Sequence, residues 1–248
     1  MEWEVCVSVM SPGNEGGLCW PPLISGVLQR RYKRFLADIR LDDGRTVTAH
    51  CPNSGSMKGC SEAGRPVLLS EHDHPRRKLR YTWELIDMGS SWVGVNTLVP
   101  NRLVSASVAA GKIPDLTEYE RIRREIPVGS RSRIDLLLES RGRRPCYVEI
   151  KNCTLVEAGR ARFPDAVTTR GRKHLLELER LSASGCRAVT FFLVQRMDAE
   201  GFSPADDIDP AYGAELRRVH RGGVEILAYD VHVDPAGIAL RRRLPLML

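Results

Sequence analysis

Arg133-Ile-Asp-Leu-Leu-Leu138, followed by Tyr147-Val-Glu-Ile-Lys151, decides how the second half of this 248-residue chain is read. Strand side chains alternate between faces. Ile134, Leu136 and Leu138 are therefore expected on one face and Asp135 on the other. In the next strand Cys146, Val148 and Ile150 share a face, and Glu149 and Lys151 share the opposite one. Ser140-Arg-Gly-Arg-Arg-Pro145 between them has the composition of a turn. An antiparallel hairpin about Gly142 sets Asp135 opposite Glu149, with Cβ atoms about 5 Å apart.

Two carboxylates held side by side repel, and each disfavours the other's ionisation. A divalent cation resolves that conflict. Mg²⁺ or Mn²⁺ at Asp135 and Glu149 would polarise a phosphodiester and lower the pKa of its bound water. Lys151, on the same face, could orient or deprotonate the attacking water and stabilise charge on the phosphate. Asp135, Glu149 and Lys151 are thus the candidate catalytic residues. The same spacing also suits a structural charge cluster at a sheet edge. Glu125 is open to two readings, a third metal ligand or a surface strand residue.

A helix is expected from Val167 to about Ser184, capped by Thr168 or Thr169, with Val167, Leu178 and Leu181 as its apolar stripe. Arg170 and His174 continue the stripe toward the helix start and so are expected to face the carboxylates, where a cation and an imidazole suit a phosphate. Arg170 could instead form a structural pair with Glu149.

Charge points the same way. The net charge is +6, and residues 120–187 hold 16 Lys and Arg against nine Asp and Glu. A local basic field favours polyanions through counterion release, although a solvated basic face has the same composition. In the first half, Arg30-Arg-Tyr-Lys-Arg-Phe35 interleaves basic and aromatic residues, a pattern suited to single strands or to the backbone of DNA, although at least one of Tyr32 and Phe35 is expected to serve the core instead. The candidate DNA contacts are Arg31, Lys33, Arg34, Arg133, Arg170, Lys173 and His174, for single- or double-stranded DNA. Arg217, Arg218 and Arg221 lie on a further expected helix that suits packing on the sheet better than contact with a backbone.

The hydrophobic fraction of 42% and charged fraction of 27% suit a folded protein. No apolar run approaches a membrane span, and the start, with Glu2 and Glu4, does not read as a signal peptide, so the cytoplasm is the expected compartment. The seven cysteines form no regular framework and are expected to be free thiols. Cys51, Cys60, His72 and His74 could form a zinc site, but the close cysteine pair usual there is missing. A homo-oligomer is left open.

Along the chain, residues 1–22 read as a loosely attached extension. Strands are expected over 27–41, 46–50, 66–70, 82–87 and 92–95, and five short strands with little helix suggest a small β-barrel over 23–98. A helical connection follows from Asn96 to Ala110. Residues 99–248 then read as strand–strand–helix–strand–helix–strand, a mixed α/β (α+β) layer domain. Its later elements are a strand over 187–194, a helix from the cap Asp209-Pro210 to Arg221, and a strand over 224–233.

The chain resembles the sugar fermentation stimulation protein A (SfsA) family. The resemblance rests on Arg31-Tyr-Lys-Arg-Phe-Leu-Ala-Asp38, His50-Cys-Pro-Asn-Ser-Gly55 with Met57, Tyr81-Thr-Trp-Glu-Leu85 and Val95-Asn-Thr-Leu98 with Asn101-Arg-Leu103. It continues through Ser132-Arg-Ile-Asp135, Tyr147-Val-Glu-Ile-Lys151, Phe163-Pro-Asp-Ala-Val-Thr168 with Arg170-Gly171 and Lys173-His-Leu175, and Gly223-Val-Glu-Ile-Leu-Ala-Tyr229. It covers roughly residues 23–248. The resemblance implies an N-terminal OB-like barrel and a C-terminal domain related to PD-(D/E)XK nucleases, whose motif maps onto Asp135, Glu149 and Lys151. It also implies non-specific DNA binding and a regulatory role in sugar (maltose) utilisation.

Overall fold

The computed structural model describes residues 16–128 and 132–248. The extension expected over residues 1–22 is corrected where it is described, and residues 1–15 lie outside the described region. Strand β1 (Leu18–Cys19) pairs antiparallel with the last strand of the chain, Leu18 opposite Ile238. Trp20 donates from Nε1 to the Asp234 carbonyl at 2.8 Å. Leu18 and Trp20 pack on the core of the second domain. Two apolar side chains and a sheet edge to complete anchor a segment whose composition looks loose.

Six strands follow: β2 (Leu23–Tyr32), β3 (Leu36–Leu41), β4 (Thr46–His50), β5 (Pro66–Glu71), β6 (Tyr81–Asp87) and β7 (Trp92–Gly94). They lie in the order β4-β3-β2-β5-β6-β7, and a parallel β4–β6 pairing closes five of them into a barrel. Closure removes the exposed edges. Leu28, Ile39, Val67, Leu69 and Trp83 fill the interior. The single strand expected over 27–41 is two strands. Lys33 and Arg34 both take left-handed backbone angles, with φ of 47° and 63°, and turn the chain into a hairpin.

Helix α1 (Val99–Ala109) leads into β8 (Arg121–Val128), β9 (Ser132–Glu139), β10 (Cys146–Cys153), β11 (Leu155–Glu157) and β12 (Arg160–Phe163). Then come α2 (Thr169–Ala183), β13 (Arg187–Val194), β14 (Gly201–Pro204), α3 (Pro210–Arg221), β15 (Glu225–Asp234) and β16 (Gly237–Arg243). The main sheet has the order β1-β16-β15-β13-β10-β9-β8, with β10, β13 and β15 parallel at its centre. Strand β13 is buried on both faces. Val189, Phe191 and Leu193 pack with Leu103 and Val104 of α1, and Ala188, Phe192 and Val194 pack with α2 and α3. The result is an α/β layer domain behind a closed barrel. Strands β11, β12 and β14 form a small second sheet that sequence periodicity does not reveal.

Both helix starts match their expected caps. Thr168 accepts the Gly171 N–H, and Asp209 accepts the Tyr212 N–H. Asp209 also accepts the Thr168 N–H at 2.8 Å, tying the two helix starts together. Val167 is corrected: it precedes α2 and is 71% exposed, and the buried stripe is Gly171, His174, Leu175 and Leu178.

Candidate active site

Strand β9 pairs with β8 along its length, but with β10 only across Leu138–Cys146, Leu137–Tyr147 and Leu136–Val148. Past that point the two strands part. The register that sets Asp135 opposite Glu149 is as expected, yet the ladder stops one pair short of them. Asp135 Oδ2 instead accepts the Ile150 N–H at 2.7 Å, so a carboxylate replaces a main-chain partner. The alternation expected in β9 breaks here too. Leu136 and Leu138 join the core beside α1, while Ile134 joins the core beside α2. Asn101, on the first turn of α1, donates to Asp135 Oδ1 at 2.8 Å.

Glu149 is 3% exposed. Its Oε1 accepts from Lys151 Nζ at 2.6 Å and from His174 Nδ1. Its Oε2 is buried with no hydrogen-bond partner. Arg170 Nε donates to His174 Nε2 at 3.4 Å, so the His174 proton belongs on Nδ1, facing Glu149. The two carboxylates titrate apart. Burial and the nearby Glu149 charge push Asp135 up to about 6, against the opposing effects of the Ile150 N–H, Lys151 and Asn101. Burial pushes Glu149 upward as well, but the His174 hydrogen bond and the Lys151 charge outweigh it and hold the group below its ordinary value.

These residues line a cleft of about 1170 Å³, with Arg133, Arg170 and Lys173 along it. The three basic residues are exposed. Glu125 lies on the same wall, exposed, at a left-handed φ of 51°. A partnerless buried carboxylate oxygen beside an Asp that resists ionisation fits a divalent cation, with Asp135 and Glu149 as its protein ligands. Among the described residues no three His, Cys, Asp or Glu side chains gather as a metal cage. Such an ion would therefore draw its remaining ligands from water and substrate, as Mg²⁺ does.

Several expected contacts are corrected. Arg31 does not face a ligand with its guanidinium. It donates to the carbonyls of Arg34, Asn53, Gly55 and Ser56 and holds that loop in shape. His174 is buried on Glu149, not presented to a phosphate, and the alternative Arg170–Glu149 pair does not form, because His174 and Lys151 take that place. Lys33, Arg34 and a 45% exposed Phe35 sit at the hairpin tip, while Tyr32 donates to Asp38. The zinc arrangement is absent: Cys51 meets Met57, Cys60 is buried against Met57, and His72 bonds Ser70. The six described cysteines are free, four of them buried. Arg217 pairs with Asp206, and Arg218 with Glu179 and Glu215, leaving α3 packed on the sheet. Among the described residues no helix is long and apolar enough to cross a membrane.

Sequence reasoning missed Asn101 and Asp165. The Asp165 Oδ2 accepts the Met57 N–H at 2.9 Å, and Ser56 donates to the Asp165 carbonyl at 2.7 Å, docking the barrel loop onto the second domain. Both residues stand in the motifs that carry the family resemblance, but nothing in the spacing assigns their partners.

The comparisons agree with this architecture. A family model described as the SfsA N-terminal OB domain matches residues 30–95, and one described as the sugar fermentation stimulation protein RE domain matches residues 98–237. The sugar fermentation stimulation protein homolog of Geobacter sulfurreducens is 57% identical over 226 residues, covering 91% of this chain and 97% of that protein. The homolog of Acidithiobacillus ferrooxidans is 54% identical over 228 residues, covering 92% and 98%. The structure of Pyrococcus furiosus SfsA in complex with Ca²⁺ superposes with a TM-score of 0.86 at 26% identity, covering 93% of this chain and 98% of that one. With an OB barrel, an α/β domain and relatives aligned over nearly their whole length, the chain belongs to the sugar fermentation stimulation protein family.

Proposed function

We propose that this protein binds DNA along the cleft and hydrolyses phosphodiester bonds there, using Mg²⁺ or Mn²⁺ held by Asp135 and Glu149. The observation that carries the proposal is the buried, partnerless Oε2 of Glu149 beside a carboxyl pushed up to about 6. A protein that only gripped phosphates would gain nothing from two adjacent carboxylates, which repel them. The Pyrococcus furiosus relative, solved in complex with Ca²⁺, supports a divalent-ion reading. When bound, the ion supplies Lewis-acid polarisation and an acidified water. Lys151 meets developing negative charge on the phosphate. Asn101 and the Ile150 N–H aim Asp135, and His174 aims Glu149. Arg133, Arg170 and Lys173 draw in the backbone through its charge.

The test is cleavage of labelled single- and double-stranded DNA with Mg²⁺ or Mn²⁺, comparing wild type with Lys151→Ala. Metal-dependent cleavage lost in the variant is the expected result. Salt-sensitive binding in both proteins with no cleavage in either overturns it. That outcome would favour the second reading, a non-hydrolytic DNA binder with a regulatory role in sugar (maltose) utilisation. One observation supports this second reading: Lys151 and His174 already engage one oxygen of Glu149.

A further inference from the structure

Beside the catalytic cleft lies a second cavity of about 320 Å³. Ser54, Thr97 and Asn152 line both, so the two are continuous. Two amides face it, and the hydrogen-bond network fixes the sense of each. Asn53, 3% exposed, accepts the Gly55 N–H on Oδ1 at 2.9 Å, which leaves its NH₂ toward the cavity without a partner among the described residues. Gln195 donates from Nε2 to the Asn96 carbonyl, which can only accept, and from the same nitrogen to Asn152 Oδ1 at 2.7 Å. The Asn152 NH₂ is therefore also left free to donate. The half-buried ring of Phe163 forms part of the wall and is held rigid by Phe192 and Tyr212, at centroid distances of 5.3 and 5.2 Å.

The Asp165 carboxylate lies in the same wall. Arg162 does too, but it is paired with Glu157 and Asp207. A carboxylate repels phosphate, so the wall suits a neutral, flat group that both accepts and donates hydrogen bonds. The edge of a nucleobase has that character, and unpaired bases are recognised by such edges together with an aromatic wall.

We propose that this cavity takes an unpaired nucleobase of the DNA strand in the cleft, so that single-stranded or locally opened DNA is the preferred substrate. The proposal rests on the DNA-binding reading above. A paired base cannot enter, because its edge is covered by its partner. Asn53 and Asn152 donate to base acceptors, Asp165 accepts a base N–H, and Phe163 packs against the ring.

The test uses a short single-stranded oligodeoxynucleotide carrying iododeoxyuridine, with the full chain and Ca²⁺ in place of Mg²⁺ or Mn²⁺, so that the carboxylates are neutralised while binding is read. Anisotropy reports binding, and ultraviolet crosslinking with peptide mapping reports where the base sits. The expected result is a crosslink on the peptide holding Phe163, reduced about tenfold when the strand is fully paired and by a similar factor in the near-isosteric Asn152→Asp. Binding with crosslinks only elsewhere, for instance at Phe35, overturns the pocket and leaves DNA binding standing. No binding at all overturns both. The wild-type crosslink decides the question even if the variant fails to fold.

Discussion

His174 Nδ1 donates to Oε1 of Glu149, while the other oxygen of that carboxylate is buried without a partner. Half of the group is held in place and half is left without a partner. A merely structural ion pair would satisfy both oxygens, since a buried acceptor left unmade costs about 1–3 kcal/mol.

The first prediction concerns the ion. Mg²⁺ or Mn²⁺ at about a hundredfold excess over its dissociation constant should stabilise the wild type by about 2.7 kcal/mol, a shift of several degrees in Tm. Glu149→Gln and Asp135→Asn should show no such shift. Because burial and the Glu149 charge push Asp135 up to about 6, metal affinity should weaken steadily as pH falls through that value. Calorimetry at pH 5 and pH 8 that returned equal affinities would remove Asp135 from the site.

The second concerns stability in chelator. The folded pKa of Asp135 lies above its unfolded value, so the folded state holds the proton more tightly. Its contribution is therefore favourable at low pH and is lost as pH rises from about 4 through 6. For an acid moved from 3.8 to about 6 the loss is up to about 3 kcal/mol. Asp135→Asn should gain on the wild type by that order between pH 4 and pH 7 in urea titrations. A constant difference between the two proteins across this range would show that Asp135 is not strained by its surroundings.

The third concerns the loop that docks the barrel. A Cβ on Gly55 would lie 2.7 and 2.9 Å from the two Asp165 carboxylate oxygens. Asp165 cannot simply swing aside, because Met57 and Ser56 hold it. Gly55→Ala should cost about 1–3 kcal/mol, read as a lower Tm. Unchanged melting would mean that this contact contributes little.

The fourth separates structural from phosphate-binding cations. Arg31→Lys keeps the charge but cannot reach its several carbonyls at once. It should lower Tm while leaving the salt dependence of DNA binding unchanged. Lys173→Ala, on an exposed cleft residue, should leave Tm unchanged and reduce the salt slope by about one. Anisotropy titrations over a salt series, beside melting curves, read both.

Much of this protein is legible from local pattern. The short turn over 140–145 sets the register that brings Asp135 toward Glu149, because so short a connection leaves little choice of pairing, although the face alternation of β9 fails at Ile134. Thr168 and Asp209 mark their helix starts for the same local reason. Turn residues and short apolar runs are enough to suggest the barrel. These features depend on neighbours in sequence, or on one hairpin, and so can be read from residue order.

What residue order does not contain is where strands part and which distant groups fill the gap. That β9 leaves β10 after Val148, so that Ile150 bonds a side chain, follows from β9 pairing with β8 while β10 pairs with β13. That Leu18 and Trp20 complete the far sheet, that Arg31 serves carbonyls more than 20 residues away, and that Asp165 clasps Met57 are contacts across the whole chain. Composition and local periodicity determined many of the elements, though not β1 or the small β11-β12-β14 sheet, and the chemical types of the site. Tertiary packing alone decided which charges are buried, which are neutralised, and which oxygen is left free, because burial and partner choice come from chain segments that meet only when the fold closes.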